Sequence, residues 1–99
     1  RRRAPVRVTS PGIVTFVGWK GGFGKMVEVD HGLGVRTRYG HLAAIFVKRG
    51  QEVDFREKVG LVGSTGRSSG DHLHYEIMVD GRQNDPSNFI KAGQYVFKN

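Results

Sequence analysis

Apolar and polar residues alternate with a period of two along most of this chain, in short runs divided by glycine. Residues 6–9 read as a first strand, stopped by the turn signal Ser10, Pro11 and Gly12. Residues 13–19 are apolar on both faces, which predicts a strand sandwiched between layers. Residues 20–24 are expected to form a flexible glycine loop. In residues 26–31, Val27 and Val29 face inward and Glu28 and Asp30 outward. Gly32, Leu33 and Gly34 then reverse the chain into residues 35–39, with Val35, Thr37 and Tyr39 on one side and Arg36 and Arg38 on the other. Glycines able to take positive φ suit that antiparallel hairpin.

Residues 42–47 lack clean alternation and read as a short irregular or 3₁₀ piece, with a strand end at Phe46 and Val47. Short strands are expected at 52–55 and 59–62, followed by a loop of Gly, Ser, Thr and Arg over 63–70. The clearest strand is 72–80, with Leu73, Tyr75, Ile77 and Val79 on the apolar face and His74, Glu76, Met78 and Asp80 on the other. Gly81 turns the chain. Asp85 and Pro86 open a short turn or helical segment anchored by Phe89 and Ile90, and Tyr95 and Phe97 pack back from a ragged tail. No long stretch follows the 3.6-residue helical period. The expected fold is all-β, compact and mainly antiparallel. It forms one domain over residues 1–99, with a basic lead-in at 1–4, a body at 5–90 and a tail at 91–99.

Composition narrows the chemistry. A chain of 99 residues makes one thin domain, burying roughly two thirds or less of its unfolded surface. A hydrophobic share of 37% with 15 glycines and 3 prolines fits a turn-rich sheet protein. No apolar run approaches the roughly 18 residues of a membrane span. No secretory signal is visible, and the abrupt start at Arg1, Arg2 and Arg3 reads like an excised piece. With no cysteine, disulfides, thiolate chemistry and Cys-ligated zinc are excluded. The net charge of +7 suits nucleic acid, an anionic wall polymer or plain solubility. The arginines are scattered over turns and strands with no aromatic-interleaved basic stripe, so nucleic acid is not the expected partner.

The most pointed chemistry is His72–Leu73–His74. On a strand, residues i and i+2 face the same way, so two imidazoles converge on one spot. That suits a metal ligand beside a general base, although spacing alone leaves His74 equally readable as a structural histidine. The preceding glycine-rich loop has the composition of an active-site rim. His41, at the end of another strand, joins the pair if the two strands are neighbours; otherwise it is a loop histidine bonded to backbone. His31, at a hairpin corner, reads as exposed and structural. Asp71 either supports the site or caps the turn, and Glu76 reads as a solvated edge carboxylate that could also back a ligand. Residues 60–66 imitate a phosphate loop without the Gly-Lys-Ser/Thr or the helix it needs. Lys25–Met26 lacks the second methionine of a biotin or lipoyl carrier. A Ser68 or Ser69 nucleophile is disfavoured, because its neighbours Asp71 and His72 point to opposite faces.

Taken in order, Ser10–Pro11–Gly12, Gly22–Phe23–Gly24, His31–Gly32, Thr37 to Leu42, Gly63 to Arg67, Ser69–Gly70, His72 to Glu76 and Asp85–Pro86 resemble the M23 peptidases. These are zinc metallopeptidases of the lysostaphin and LytM type, which cut peptide bridges in bacterial peptidoglycan. The resemblance implies a LytM-type (duplicated-hybrid-motif) sheet domain and one zinc ion. Carried over residue by residue, it makes His74 a zinc ligand. His72 becomes a catalytic histidine that polarises the attacking water and steadies the oxyanion, and His41 its companion across the metal.

The family takes its other two ligands from a His-x-x-x-Asp motif before the segment that begins at Pro5. No such motif occurs in these 99 residues. The resemblance therefore implies a domain truncated on its N-terminal side, its zinc weak or absent unless upstream sequence or a second chain completes the site. The parent protein is expected to be a zinc-dependent endopeptidase of peptidoglycan cross-links, in the periplasm or elsewhere in the cell envelope. Its expected partner is a peptidoglycan peptide. The competing expectation is a non-catalytic LytM-like module that binds wall or activates an amidase.

Overall fold

Valines alternating with polar residues build two antiparallel sheets whose apolar faces share one core. The computed structural model describes residues 3–68 and 70–84. The strands are β1 (Pro5–Arg7), β2 (Gly12–Trp19), β3 (Lys25–Gly32), β4 (Val35–Gly40) and β5 (Leu42–Ile45). They continue as β6 (Glu52–Val53), β7 (Lys58–Val62), β8 (His74–Val79) and β9 (Arg82–Asn84), and a 3₁₀ turn at Gly21–Phe23 joins β2 to β3. The larger sheet has the order β6-β2-β3-β4-β8-β9 and the smaller β1-β7-β5. The all-β, antiparallel expectation holds.

Val14, Val27, Val29 and Tyr39 from the larger sheet pack against Val6, Leu42 and Val59 from the smaller. Each fully buried valine contributes on the order of 1.5–3 kcal/mol relative to exposure. The other face of the larger sheet carries the charges. There Glu28 lies opposite Arg38, Arg38 opposite Glu76, and Gly40 opposite His74. The chain changes sheets between β4 and β5, and the residue at that crossing is His41.

Several expectations need correction. Residues 42–45 form a strand without alternating, because pairing with β7 fixes them: Leu42 lies opposite Val62 and Ile45 opposite Gly60. Residues 20–24 contain an ordered 3₁₀ turn. Strand β8 starts at His74, so His72 lies in the preceding loop, and β9 was not foreseen. β2 is not sandwiched along its length: Val14 is buried, but Ile13 and Trp19, at its two ends, are 48% and 62% exposed. Glu28, expected to face outward, is 7% exposed beneath two arginines. The turn at Asp85 and Pro86, the anchors Phe89 and Ile90, and the tail with Tyr95 and Phe97 lie outside the described residues.

Candidate active site

The site forms where the sheet ends at Gly40. A Cβ on Gly40 would lie 3.1 Å from the Phe23 ring, so glycine lets the 3₁₀ turn lay Phe23 on the end of the sheet. The ring of Phe23 then meets His74 edge-on, with centroids 5.3 Å apart. His41 follows Gly40 with φ of 60°, a left-handed conformation costly for a residue with a side chain. Its N–H donates to the Phe23 carbonyl at 2.6 Å, which turns the chain toward β5.

Thr65 ties the two loops of the site together. Its hydroxyl donates to the Leu42 carbonyl at 2.7 Å and accepts the Lys25 N–H at 3.1 Å. Its carbonyl accepts from Nδ1 of His41 at 2.7 Å. Nearby, Gly24 and Gly66 take φ of 65° and 74° and approach so closely that a side chain on either would collide with the other's backbone. The Arg67 N–H donates to the Gly22 carbonyl at 2.9 Å, and the His72 N–H to the Gly63 carbonyl at 3.1 Å. These bonds carry His72 toward His41 without any strand.

The three histidines singled out from the sequence meet. The His41 ring centroid is 4.9 Å from that of His72 and 5.7 Å from that of His74. All three line a cavity of about 470 Å³ with Phe23, Arg67 and Glu76. Their hydrogen bonds assign the ring nitrogens. A carbonyl only accepts, so Nδ1 of His41 carries its proton and Nε2 keeps the lone pair. His72 is alike: Nδ1 lies 3.1 Å from the Gly70 carbonyl and 3.2 Å from Ser68 Oγ. In His74 the order reverses, because Nε2 holds the Glu76 carboxylate at 2.9 Å and leaves Nδ1 its lone pair.

Other candidates sort themselves out. His31 is structural but half-buried rather than exposed: Nδ1 donates to the Pro11 carbonyl at 2.8 Å, and Nε2 lies 2.7 Å from Thr37 Oγ1. Asp71 pairs with Arg3 at 3.0 Å on the surface. Ser68 spends its proton on the Gly70 carbonyl at 2.6 Å and is not poised as a nucleophile, while Ser69 lies outside the described residues. Glu76 is no solvated edge carboxylate; it is 7% exposed and holds His74.

Phe23, Thr65 and Arg67 were missed as site residues. A lone aromatic amid Gly21, Gly22 and Gly24 was the available signal for Phe23. Thr65 and Arg67 fall in the Gly63 to Arg67 segment of the family resemblance, but their roles depend on two distant loops meeting.

Burial shapes three further titrations. It pushes the Glu28 carboxyl up, but hydrogen bonds from Arg38, Thr15 and Arg36 and the charge of Arg38 outweigh it, so the net shift is downward. Burial raises the Tyr39 phenol and pushes Tyr75 up to about 12.

Zinc takes imidazole and carboxylate ligands in a tetrahedron. Among the described residues no three His, Cys, Asp or Glu side chains are arranged to hold a metal ion. The donor set fits one corner of such a site, Nδ1 of His74, with two imidazoles beside it.

The chain belongs to peptidase family M23, whose profile matches residues 1–86. It is 48% identical over 82 residues to the DD-carboxypeptidase/endopeptidase Mpg of Neisseria meningitidis serogroup B, covering 83% of this chain and 19% of that protein. A zinc-containing peptidase from Vibrio cholerae superposes with a TM-score of 0.81 at 41% identity, over 84% of this chain and 26% of that one. The catalytic domain of lysostaphin from Staphylococcus simulans gives 0.84 at 33% identity, over 92% and 73%. The chain spans about a fifth of the length of the curated relative Mpg.

Proposed function

We propose that this chain forms the His-x-His side of a zinc peptidase that cuts peptide cross-links of bacterial peptidoglycan in the cell envelope. One observation carries the proposal: three imidazoles surround one cavity, and each has one nitrogen fixed by a hydrogen bond and the other left with its lone pair. A relative named as a peptidoglycan DD-endopeptidase, ShyA of Vibrio cholerae, 43% identical over 88 residues, supports the substrate class, and the zinc-containing peptidase supports the metal.

In this proposal His74 binds zinc through Nδ1, and the remaining ligands come from a His-x-x-x-Asp motif that residues 1–99 do not contain. When bound, zinc supplies Lewis-acid chemistry, polarising the scissile carbonyl and making water acidic enough to attack near neutral pH. Nε2 of His41 or His72 takes the proton of the attacking water. The ring that gains it becomes a donor at both nitrogens, able to hydrogen-bond the oxyanion and then to protonate the leaving amine. Each Nδ1 bond keeps its ring aimed throughout. Arg67 and Phe23 wall the cavity and position the peptide. Described residues include no helix long and apolar enough to cross a membrane.

The test is hydrolysis of purified cross-linked muropeptides by the protein in its full encoded length, followed by mass spectrometry. Activity is expected, abolished by a chelator and restored by zinc. Muropeptides left intact with zinc present, or cut equally in chelator, would overturn the proposal.

A further inference from the structure

The charged face of the large sheet forms one connected ladder that ends on His74. Glu76 divides its carboxylate, with Oε2 2.9 Å from His74 Nε2 and Oε1 3.7 Å from a terminal nitrogen of Arg38. Arg38 then donates through Nε to Glu28 Oε2 at 2.8 Å. The other Glu28 oxygen accepts from Thr15 at 2.9 Å and from Arg36 at 3.1 Å. Arg36 reaches Asp30 at 3.5 Å. Cross-strand register builds this order, since Glu28, Arg38 and Glu76 sit directly opposite one another on β3, β4 and β8.

We infer that Arg38 is a positioning residue for His74, acting through Glu76: by standing between two buried carboxylates it holds Glu76 on Nε2 and keeps the lone pair on Nδ1. The bearing on metal binding rests on the function proposed above; the positioning itself does not.

Glu28 and Glu76 side chains are each 9% exposed, and a carboxylate so placed needs a cation or donors beside it. Arg38 is the cation that touches both, and its side chain is itself only 22% exposed. Without it, Glu76 faces Glu28 across β4 with no cation between them, and its Oε1 is left buried without a charged partner, which drives Glu76 off its present rotamer toward solvent. His74 then loses its hydrogen-bonded anchor and retains the ring contacts of Phe23 and His41, neither of which selects a tautomer. An imidazole released in this way samples both tautomers, and the Nδ1–H form cannot ligate through Nδ1. Glu28 keeps Arg36 and Thr15 in either case, so the damage falls on the His74 end of the ladder.

The deciding measurement is a long-range ¹H–¹⁵N correlation spectrum of the imidazoles in the metal-free 99-residue chain at pH 8. Wild-type His74 is expected to be the Nε2–H tautomer. Arg38→Met should give a mixture of tautomers, and Arg38→Lys should restore part of the order. In the protein of full encoded length, Arg38→Met should weaken zinc binding about tenfold, the lower end of what losing outer ligand support costs. An Nδ1–H tautomer in the wild type, which needs no variant to observe, would overturn the inference. So would an Arg38→Met protein with unchanged tautomer. If the wild-type protein binds no zinc, the proposed function fails while the tautomer still decides the role of Arg38.

Discussion

Nδ1 of His41 donates to the carbonyl of Thr65 at 2.7 Å, and this bond fixes the ring of a residue whose own backbone is held at φ of 60°. The same threonine anchors Leu42 and Lys25 through its hydroxyl, so the placement of the His41 ring depends on a residue outside the cavity lining. Thr65→Val keeps the shape and the carbonyl but removes both hydroxyl bonds. The expected cost is about 1–3 kcal/mol in urea denaturation, because the Leu42 carbonyl loses its donor in a buried position. Thr65→Ser should recover most of it.

The strain at His41 can be measured by comparing two variants that both remove the ring. His41→Gly and His41→Ala lose the bond to Thr65 equally, and differ in whether the left-handed backbone carries a Cβ. His41→Gly is expected to be the more stable by about 1 kcal/mol. Equal stability would show that the φ is not strained.

Acid should destabilise the fold through Glu28. Its folded-state pKa lies below the ordinary 4.5, so the unfolded chain takes up the proton first as pH falls. The stabilisation is present above about pH 4.5 and is lost as pH drops through the lowered folded value. A Tm profile of wild type against Glu28→Gln should converge in acid and separate near neutrality.

Alkali acts through Tyr75 in the opposite sense. With its folded pKa raised from 10.0 to about 12, the unfolded chain loses the phenolic proton first. Stability is complete below pH 10 and falls between pH 10 and about 12. Tyrosinate absorbance should rise late and together with unfolding, and Tyr75→Phe should flatten that part of the stability curve.

Period-two alternation was enough to foresee β3, β4 and β8, because each has one face in the core. It missed β5, where Leu42, Ala43, Ala44 and Ile45 are all apolar and only pairing with β7 makes a strand. It put Glu28 and Glu76 on the correct face but missed their burial, since alternation separates two faces and does not say that arginines will cover the second. The histidines do meet, but strand alternation does not bring all of them together. His72 is not on the strand with His74, and loop hydrogen bonds to Gly63 and Gly70 bring it into place. The roles of Thr65 and Phe23 were not legible, because each acts through a contact between segments far apart in sequence.

The most direct test compares metal content and muropeptide hydrolysis for His74→Ala, His41→Ala and His72→Ala in the protein of full encoded length. His74→Ala is expected to lose both zinc and activity. The other two should keep about one zinc and lose roughly 10²–10⁴ in turnover, the range of general acid–base catalysis. Zinc retained without His74, or turnover undiminished without His41 and His72, would contradict the division of roles among the three imidazoles.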